Sequence, residues 1–304
     1  MVPHLLAAGH TVTVLDTMWF GKYLGKDNKS LSVVNYDVRQ APKCEGYDAV
    51  IWLASISNND FCTMYPTLAK QVNEDAFAPW LAAARQAGVK KFIYASSVAV
   101  YGSTIKDVSE YHRPQPTTMY AVGKRHCEII ALAPQTSDMQ ICVTRSASVC
   151  GGSSSTRFDV TVNRMVHDAI RRGTIVVNGG KQKRCHIHIY DITQAYLKLL
   201  ATPHLIGGHI FNFVAENQHI AETAQIVAEE TGAKILVGPD TDNRSYTVDG
   251  TKAEAVLGFT PTKTVRDAVR GLKVGFDSDA LGITRTYEHS DTDKRYMRMA
   301  DGLA

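Results

Sequence analysis

Between Lys91 and Lys124 the chain sets a strand, a pair of hydroxyls, a tyrosine and a lysine in an order that restricts the fold more than any other stretch. Lys91-Phe92-Ile93-Tyr94 reads as a buried strand that runs straight into Ala95-Ser96-Ser97-Val98-Ala99-Val100-Tyr101-Gly102. Tyr120 and Lys124 follow at the start of a helical run, four residues apart, so their side chains stack on one helix face. An ammonium beside a phenol favours the phenolate and lets the tyrosine exchange a proton near neutral pH. A hydroxyl from the serine pair can hydrogen-bond the same substrate oxygen as charge develops on it. Taken alone, the Tyr/Lys spacing fits equally an ordinary tyrosine with a surface lysine. The strand ending in serines gives the pattern its specificity.

Composition narrows the class. The 304 residues allow one large domain or two modest ones, with a hydrophobic share of 44% and a charged share of 21% that are ordinary for a globular chain. Net charge is +3, and its short basic groups (Lys90-Lys91, Arg171-Arg172, Lys181 to Arg184) read as solvated faces, so no nucleic-acid partner is expected. The six cysteines show no CxxC spacing and point to reduced thiols in a cytoplasmic enzyme. No apolar run approaches about 18 residues, so no membrane span is expected. Met1 opens directly into an amphipathic helix rather than a leader.

The serine strand, the Tyr120-Ala121-Val122-Gly123-Lys124 motif and flanking stretches from His4 to His10 through Arg266 to Val269 resemble the extended short-chain dehydrogenase/reductase family, in its nucleotide-sugar epimerase and dehydratase branch. The resemblance implies an α/β fold: a Rossmann-like doubly wound parallel sheet with a smaller α+β substrate-binding domain. The dinucleotide-binding part would cover 1–150, completed by about 186–214, and the substrate part 151–185 and 215–304. NAD is the implied cofactor and a nucleotide sugar the implied substrate. A homodimer is implied through the helix from Tyr120 to Leu132, where Cys127, Ile130 and Ala131 supply an apolar side.

Several positions are candidates for the cofactor. Thr11 to Leu15 reads as a strand ending at Asp16, where this fold holds the adenosine ribose and disfavours a 2′-phosphate; a turn-starting aspartate is the alternative. Asp37 is placed against the adenine by resemblance, or is a turn residue. The strand Asp48 to Leu53 leads into Leu53-Ala54-Ser55-Ile56-Ser57-Asn58, which resembles the cofactor-lining loop. Tyr65 to Gly88 reads as one long helical stretch. Asn73 within it, a poor helix former, predicts a side-chain hydrogen bond, which in the family braces that loop. Ser96, Tyr120, Lys124 and Ser148 complete the set. Ser148 lies in Arg145 to Gly151, similar to R-P-x-x-V-Y-G but departing at Ser146 and Cys150.

In this fold the helix over Val2 to Gly9 should follow a strand and a glycine-rich phosphate loop. No glycine cluster elsewhere has that spacing. The strand is central in the 3-2-1-4-5-6 order, so its loss would leave unpaired edges in mid-sheet. The expectation is that the start is internal to a longer chain, or that the protein is a truncated relative with impaired cofactor binding.

On the substrate side, Arg184 to Asp191 is similar to R-x-x-I-H-V-x-D, and Arg184 suits a bidentate diphosphate contact. Arg157, Asn163 and Arg244 are further substrate candidates by resemblance, with a surface arginine as the alternative for Arg244. His186 and His188 alternate as a metal pair could, but no third ligand is suitably spaced and no metal is expected. Asp191 is expected to cap a helix over Ile192 to Leu200. The tail from Asp277 to Ala304 reads as polar and loosely packed.

The implied catalytic set is Ser97, Tyr120 and Lys124. Tyr120 would be the base on a sugar hydroxyl while hydride leaves the carbon, C4 by resemblance, for the nicotinamide. Lys124 would lower the tyrosine pKa and bridge the ribose, and Ser97 would hold the forming ketone. Val98 and Ala99 stand where dehydratases carry an acidic pair, so epimerisation, or oxidation or reduction, is favoured over dehydration. The alternative is a non-catalytic, truncated relative that binds a nucleotide sugar or a partner protein. Retention of all three catalytic residues counts against it.

Overall fold

A computed structural model describes residues 1–21, 23–25, 28–103, 107–133, 138–202, 207–239 and 245–278. Helix α1 (Val2–Ala7) leads into β1 (Val12–Asp16), β2 (Leu31–Asn35) and β3 (Ala49–Trp52). The stretch read as one helix is four pieces: α2 (Asn59–Met64), α3 (Pro66–Lys70), a π-helical turn (Gln71–Asp75) and α4 (Phe77–Gln86). Pro66 lacks an N–H and so begins a helix rather than continuing one. The π turn buries Asn73 while Phe77, Trp80, Leu81 and Ala84 of α4 also face inward.

Strand β4 (Lys91–Ser97) ends in a 3₁₀ turn (Val98–Tyr101), followed by β5 (Asp107–Val108), α5 (Met119–Leu132) and β6 (Gln140–Ser146). The remaining chain forms β7 (Ser148–Cys150), α6 (Thr161–Arg172), β8 (Thr174–Asn178), β9 (Lys183–His188), α7 (Ile189–Ala201), β10 (Ile210–Phe213) and β11 (Glu216–His219). It closes with α8 (Ile220–Thr231), β12 (Lys234–Gly238), β13 (Thr247–Val248), α9 (Thr251–Leu257) and α10 (Val265–Asp277).

The main sheet is parallel throughout, in the order β10-β6-β4-β3. Strands β1 and β2 pair in parallel as a separate two-stranded sheet. The architecture is the α/β, Rossmann-like one that the sequence implies, and it breaks between β1 and β3, where a central strand would pair with both. Burial follows the break. Strand β6 is buried from Ile141 to Arg145, whereas β1 and β2 contain no fully buried residue.

Aromatic packing fixes one face of the main sheet. Phe77 lies 4.7 Å from Tyr94 and 5.8 Å from Phe92, centroid to centroid, and Trp52 packs on Phe77 and Trp80. Each such buried side chain contributes roughly 1.5–3 kcal/mol. On the other face Ile93, Cys142, Phe211 and Phe213 pack against Ala195, Tyr196 and Leu199 of α7. A further core joins α6, α8 and α10 through Val166, Val227 and Leu272.

Two expectations are corrected here. Helix α7 starts at Ile189 with His188 as its cap, and Asp191 is buried inside the first turn. Its carboxylate accepts hydrogen bonds from the Thr262 N–H (3.1 Å), the Thr262 hydroxyl (2.9 Å) and the Lys263 N–H (2.8 Å), so it clamps a distant loop instead of capping. On α5, Cys127 and Ala131 face the core, and the exposed large apolar residues are Met119, Ile129 and Ile130. Arg244 and the tail from 279 onward lie outside the described residues.

Candidate active site

The register of the main sheet places Ser96 opposite Arg145 and Ser97 opposite Ser146. The two serines differ in what they do. Ser96 is buried and donates its hydroxyl to Glu128 Oε1 at 2.6 Å. The Oγ of Ser97 accepts the Ala99 N–H at 3.2 Å, starting the 3₁₀ turn, and hydrogen-bonds Tyr120. Gly102 closes that turn at φ +72°, and a Cβ there would sit 2.2 Å from the Gln115 carbonyl oxygen. Only glycine lets the two segments pass so closely.

Thr118 caps helix α5, its hydroxyl accepting the Ala121 N–H at 3.3 Å. Lys124 is buried, donates to the Ala95 carbonyl at 2.8 Å and lies 5.6 Å from the Tyr120 ring centroid. Burial pushes its pKa down to about 8, against the opposing pull of Cys127, Cys62 and Glu128. Burial raises the pKa of Tyr120, while the Arg157 charge and the hydrogen bond with Ser97 oppose the rise. The cation that opposes the rise is Arg157, while the Lys124 ammonium lies over the Tyr120 ring and donates to the Ala95 carbonyl.

The loop after β3 is braced from the π turn. Asn73 accepts the Ile56 N–H at 2.7 Å and the Ser55 hydroxyl at 3.1 Å, and donates to the Ile56 carbonyl at 3.0 Å. Leu53 is half exposed at the cavity edge, and Ala54 packs partly into the aromatic core. At the end of β1, Asp16 accepts the Met18 N–H at 2.6 Å. Asp37 is gripped by Arg39 at 2.6 and 3.0 Å. Burial pushes its carboxyl up, but Arg39 outweighs this and holds it below its ordinary value.

The opposite wall is rich in arginine. Arg157 donates to both Asp159 oxygens at 2.9 and 2.6 Å and to the Ser57 hydroxyl at 2.6 Å, while Asn58 also reaches Asp159 at 3.2 Å. It therefore ties the loop after β3 to the segment before α6. Asn163 accepts the Gly151 N–H at 3.0 Å and donates to the Gly151 and Arg157 carbonyls at 3.3 and 2.8 Å, so its amide shapes backbone. Arg184 is buried, with its guanidinium 5.4 Å from the Tyr246 ring centroid. His186 is also buried, and burial drives its pKa down to about 4. Among the described residues no three His, Cys, Asp or Glu side chains come together as a metal group would require.

A cavity of about 1140 Å³ joins these walls. It runs from Leu53 and Ser55 past Ser97, Tyr120, Lys124 and Ser148 to Arg157, Asn163, Arg184 and Tyr246. Asp16, Asp37 and Asn73 do not line it. Sequence reasoning missed Tyr246 and the buried Glu128–Arg145 pair (2.7 Å) beneath the serines. The one available signal was an acidic residue four places after Lys124, on the same helix face.

A parallel sheet with Ser97 at a strand end and Tyr120 and Lys124 on the next helix is the arrangement of extended short-chain dehydrogenases and reductases. The chain belongs to the NAD dependent epimerase/dehydratase family, whose model matches residues 1–213. It is 24% identical over 243 residues to a Bacillus subtilis protein described as the uncharacterized UDP-glucose epimerase YtcB, covering 74% of this chain and 73% of that one. Among solved structures, MoeE5 in complex with UDP-glucose and NAD superposes with a TM-score of 0.80 at 23% identity, over 92% of this chain and 94% of that one. The UDP-glucose 4-epimerase of Thermotoga maritima with UDP-glucose gives 0.78 at 20% identity, over 92% and 94%. Among the described residues no helix is long and apolar enough to cross a membrane.

Proposed function

We propose that the protein is an NAD-dependent oxidoreductase or epimerase acting on a nucleotide-activated sugar, with hydride transfer at C4. The observation that carries this reading is the half-buried Tyr120 beside the buried Lys124, facing Ser97 on one wall of a large cavity. The residues present suit a dinucleotide at its two ends. Lys124, Ser148 and the loop Leu53-Ala54-Ser55 would hold the nicotinamide side, and Asp16 the adenosine ribose, where a carboxylate repels a 2′-phosphate. NAD, when bound, accepts the hydride from the sugar carbon.

The chain's own groups manage the proton and the charge. Tyr120 takes the proton of the sugar hydroxyl, within reach of the Ser97 hydroxyl that donates to the same oxygen as it becomes a ketone. Lys124 holds positive charge beneath the ring and orients the ribose. Arg184 takes the diphosphate and Arg157 the sugar end; Arg244 is a further substrate contact. Val98 and Ala99 offer no acid to protonate a leaving hydroxyl, which favours epimerisation or simple redox chemistry over dehydration. The cofactor half is taken as 1–150 with about 186–214, and the substrate half as 151–185 with 215–304. We place the protein in the cytoplasm on its six buried, unpaired cysteines and assign a homodimer on exposed Ile129 and Ile130.

A second reading, a non-catalytic protein that binds a nucleotide sugar or a partner protein, is favoured by the break between β1 and β3. Calorimetry with NAD, followed by a panel of UDP- and dTDP-sugars monitored for bound NADH, separates the two. Binding of NAD and reduction by one sugar class supports the enzyme. Nucleotide-sugar binding with no NAD binding and no reduction would leave the binding role in its place.

A further inference from the structure

Below the serines lies a network that the proposed chemistry does not use. Glu128 and Arg145 are among the most deeply buried charged groups of the described residues, and they meet twice, Nε to Oε1 at 2.8 Å and Nη2 to Oε2 at 2.7 Å. Ser96 donates to Oε1 at 2.6 Å and Arg125 to Oε2 at 2.9 Å, so the carboxylate accepts four hydrogen bonds. The third arm of Arg145 donates to the Tyr101 hydroxyl at 2.9 Å, and that hydroxyl donates to Asn212 Oδ1 at 2.8 Å.

We infer that Glu128 is a positioning residue: its carboxylate, with Arg145, fixes the strand and turn that carry Ser97 against the helix that carries Tyr120 and Lys124. The inference rests on the reading of those three residues given above. Its ground is where the bonds end. Glu128 follows Lys124 by one helical turn and Tyr120 by two, on the same face. Ser96 immediately precedes Ser97, and Tyr101 is the last residue of the turn that Ser97 opens. Ser97 is thus held from the residue before it and from the end of the turn after it, while the helix is held through Glu128. Apolar residues of similar volume can replace a buried ion pair with little loss of stability, so stability alone gives weak reason for this one.

The groups facing the Lys124 ammonium are Cys62 from α2, Tyr94 from β4, and Tyr120, Cys127 and Glu128 from its own helix. Glu128 contributes negative charge there, and Arg145 lies behind it.

The test uses Glu128→Gln in the full chain, with the Lys124 side-chain titration followed by NMR of isotope-labelled lysine and the signal assigned through Lys124→Met. The expected results are a lowered Lys124 midpoint and a kcat lowered about 10- to 100-fold with KM within about twofold. Lower thermal stability with an unchanged midpoint and unchanged kcat would assign the pair a purely structural role and overturn the inference. Tyr101→Phe, which keeps the ion pair, serves if Glu128→Gln does not fold. It should speed hydrogen exchange of the Ala99 amide, the proton held by Ser97, and exchange at the wild-type rate would count against positioning. Absence of turnover in the wild type would be a failure of the functional reading, and the lysine midpoint and the Ala99 amide would still decide this one.

Discussion

The two pieces of parallel sheet are held in different ways. Strands β4 and β6 share a seven-residue register, are buried on both faces, and end in a network where each polar side chain has a partner. Among the described residues, strands β1 and β2 pair only with each other, and no residue in either is fully buried. The proposed catalytic groups sit at the end of the first piece and on helix α5 packed against it, and the proposed adenosine contact on the second. Proton transfer needs fixed angles and short distances, whereas an outlying ribose contact tolerates a looser support.

The largest effect should come from the well-held piece. Tyr120→Phe removes the proposed base and should lower turnover about 1,000-fold, with NAD and nucleotide-sugar affinities within about twofold; retained turnover would remove the reason for setting this region apart. Next, amide exchange should be at least about 100-fold slower in β4 and β6 than in β1 and β2. Equal protection would abolish the contrast, and protection of β1 that rises on adding NAD would sharpen it. Asn73→Ala leaves the Ile56 N–H unpaired and its carbonyl with the Cys62 thiol alone, and should cost about 1–3 kcal/mol in urea unfolding. Asp16→Asn should weaken NAD binding about tenfold and narrow the preference over NADP, leaving turnover at saturation unchanged.

The smallest effect concerns pH. The folded Lys124 loses its proton near pH 8, while the unfolded lysine keeps it to about 10.5. Between those values the unfolded chain binds more protons, so this group makes stability rise with pH across that window. Lys124→Met should remove that part of the rise, and identical pH–stability curves for the two proteins would show the lysine is not depressed.

Much of the first piece was legible because its signals are local. A continuous apolar run marks a strand buried on both faces, the four-residue spacing puts Tyr120 and Lys124 on one helix face, and an asparagine inside a helical stretch announces a side-chain hydrogen bond. What escaped depends on contacts distant in sequence. Asp191 looked like a cap and proved to clamp Thr262 and Lys263, about 70 residues away, which no local pattern encodes. Arg145 sat in a stretch read for Ser148 and for its departures at Ser146 and Cys150, yet its partner Glu128 comes from the preceding helix. The division of Tyr65 to Gly88 was missed because a π turn has no hydropathy signature of its own.

That π turn makes the chain sensitive to length at a place far from any reacting atom. Each residue advances an α-helix by about 100°, so deleting one position within Gln71–Asp75 would rotate everything upstream relative to everything downstream. Either Asn73 would swing away from Ile56, or Phe77, Trp80 and Leu81 would leave the core. Most point substitutions in that segment preserve its phase, but a single-residue insertion or deletion cannot.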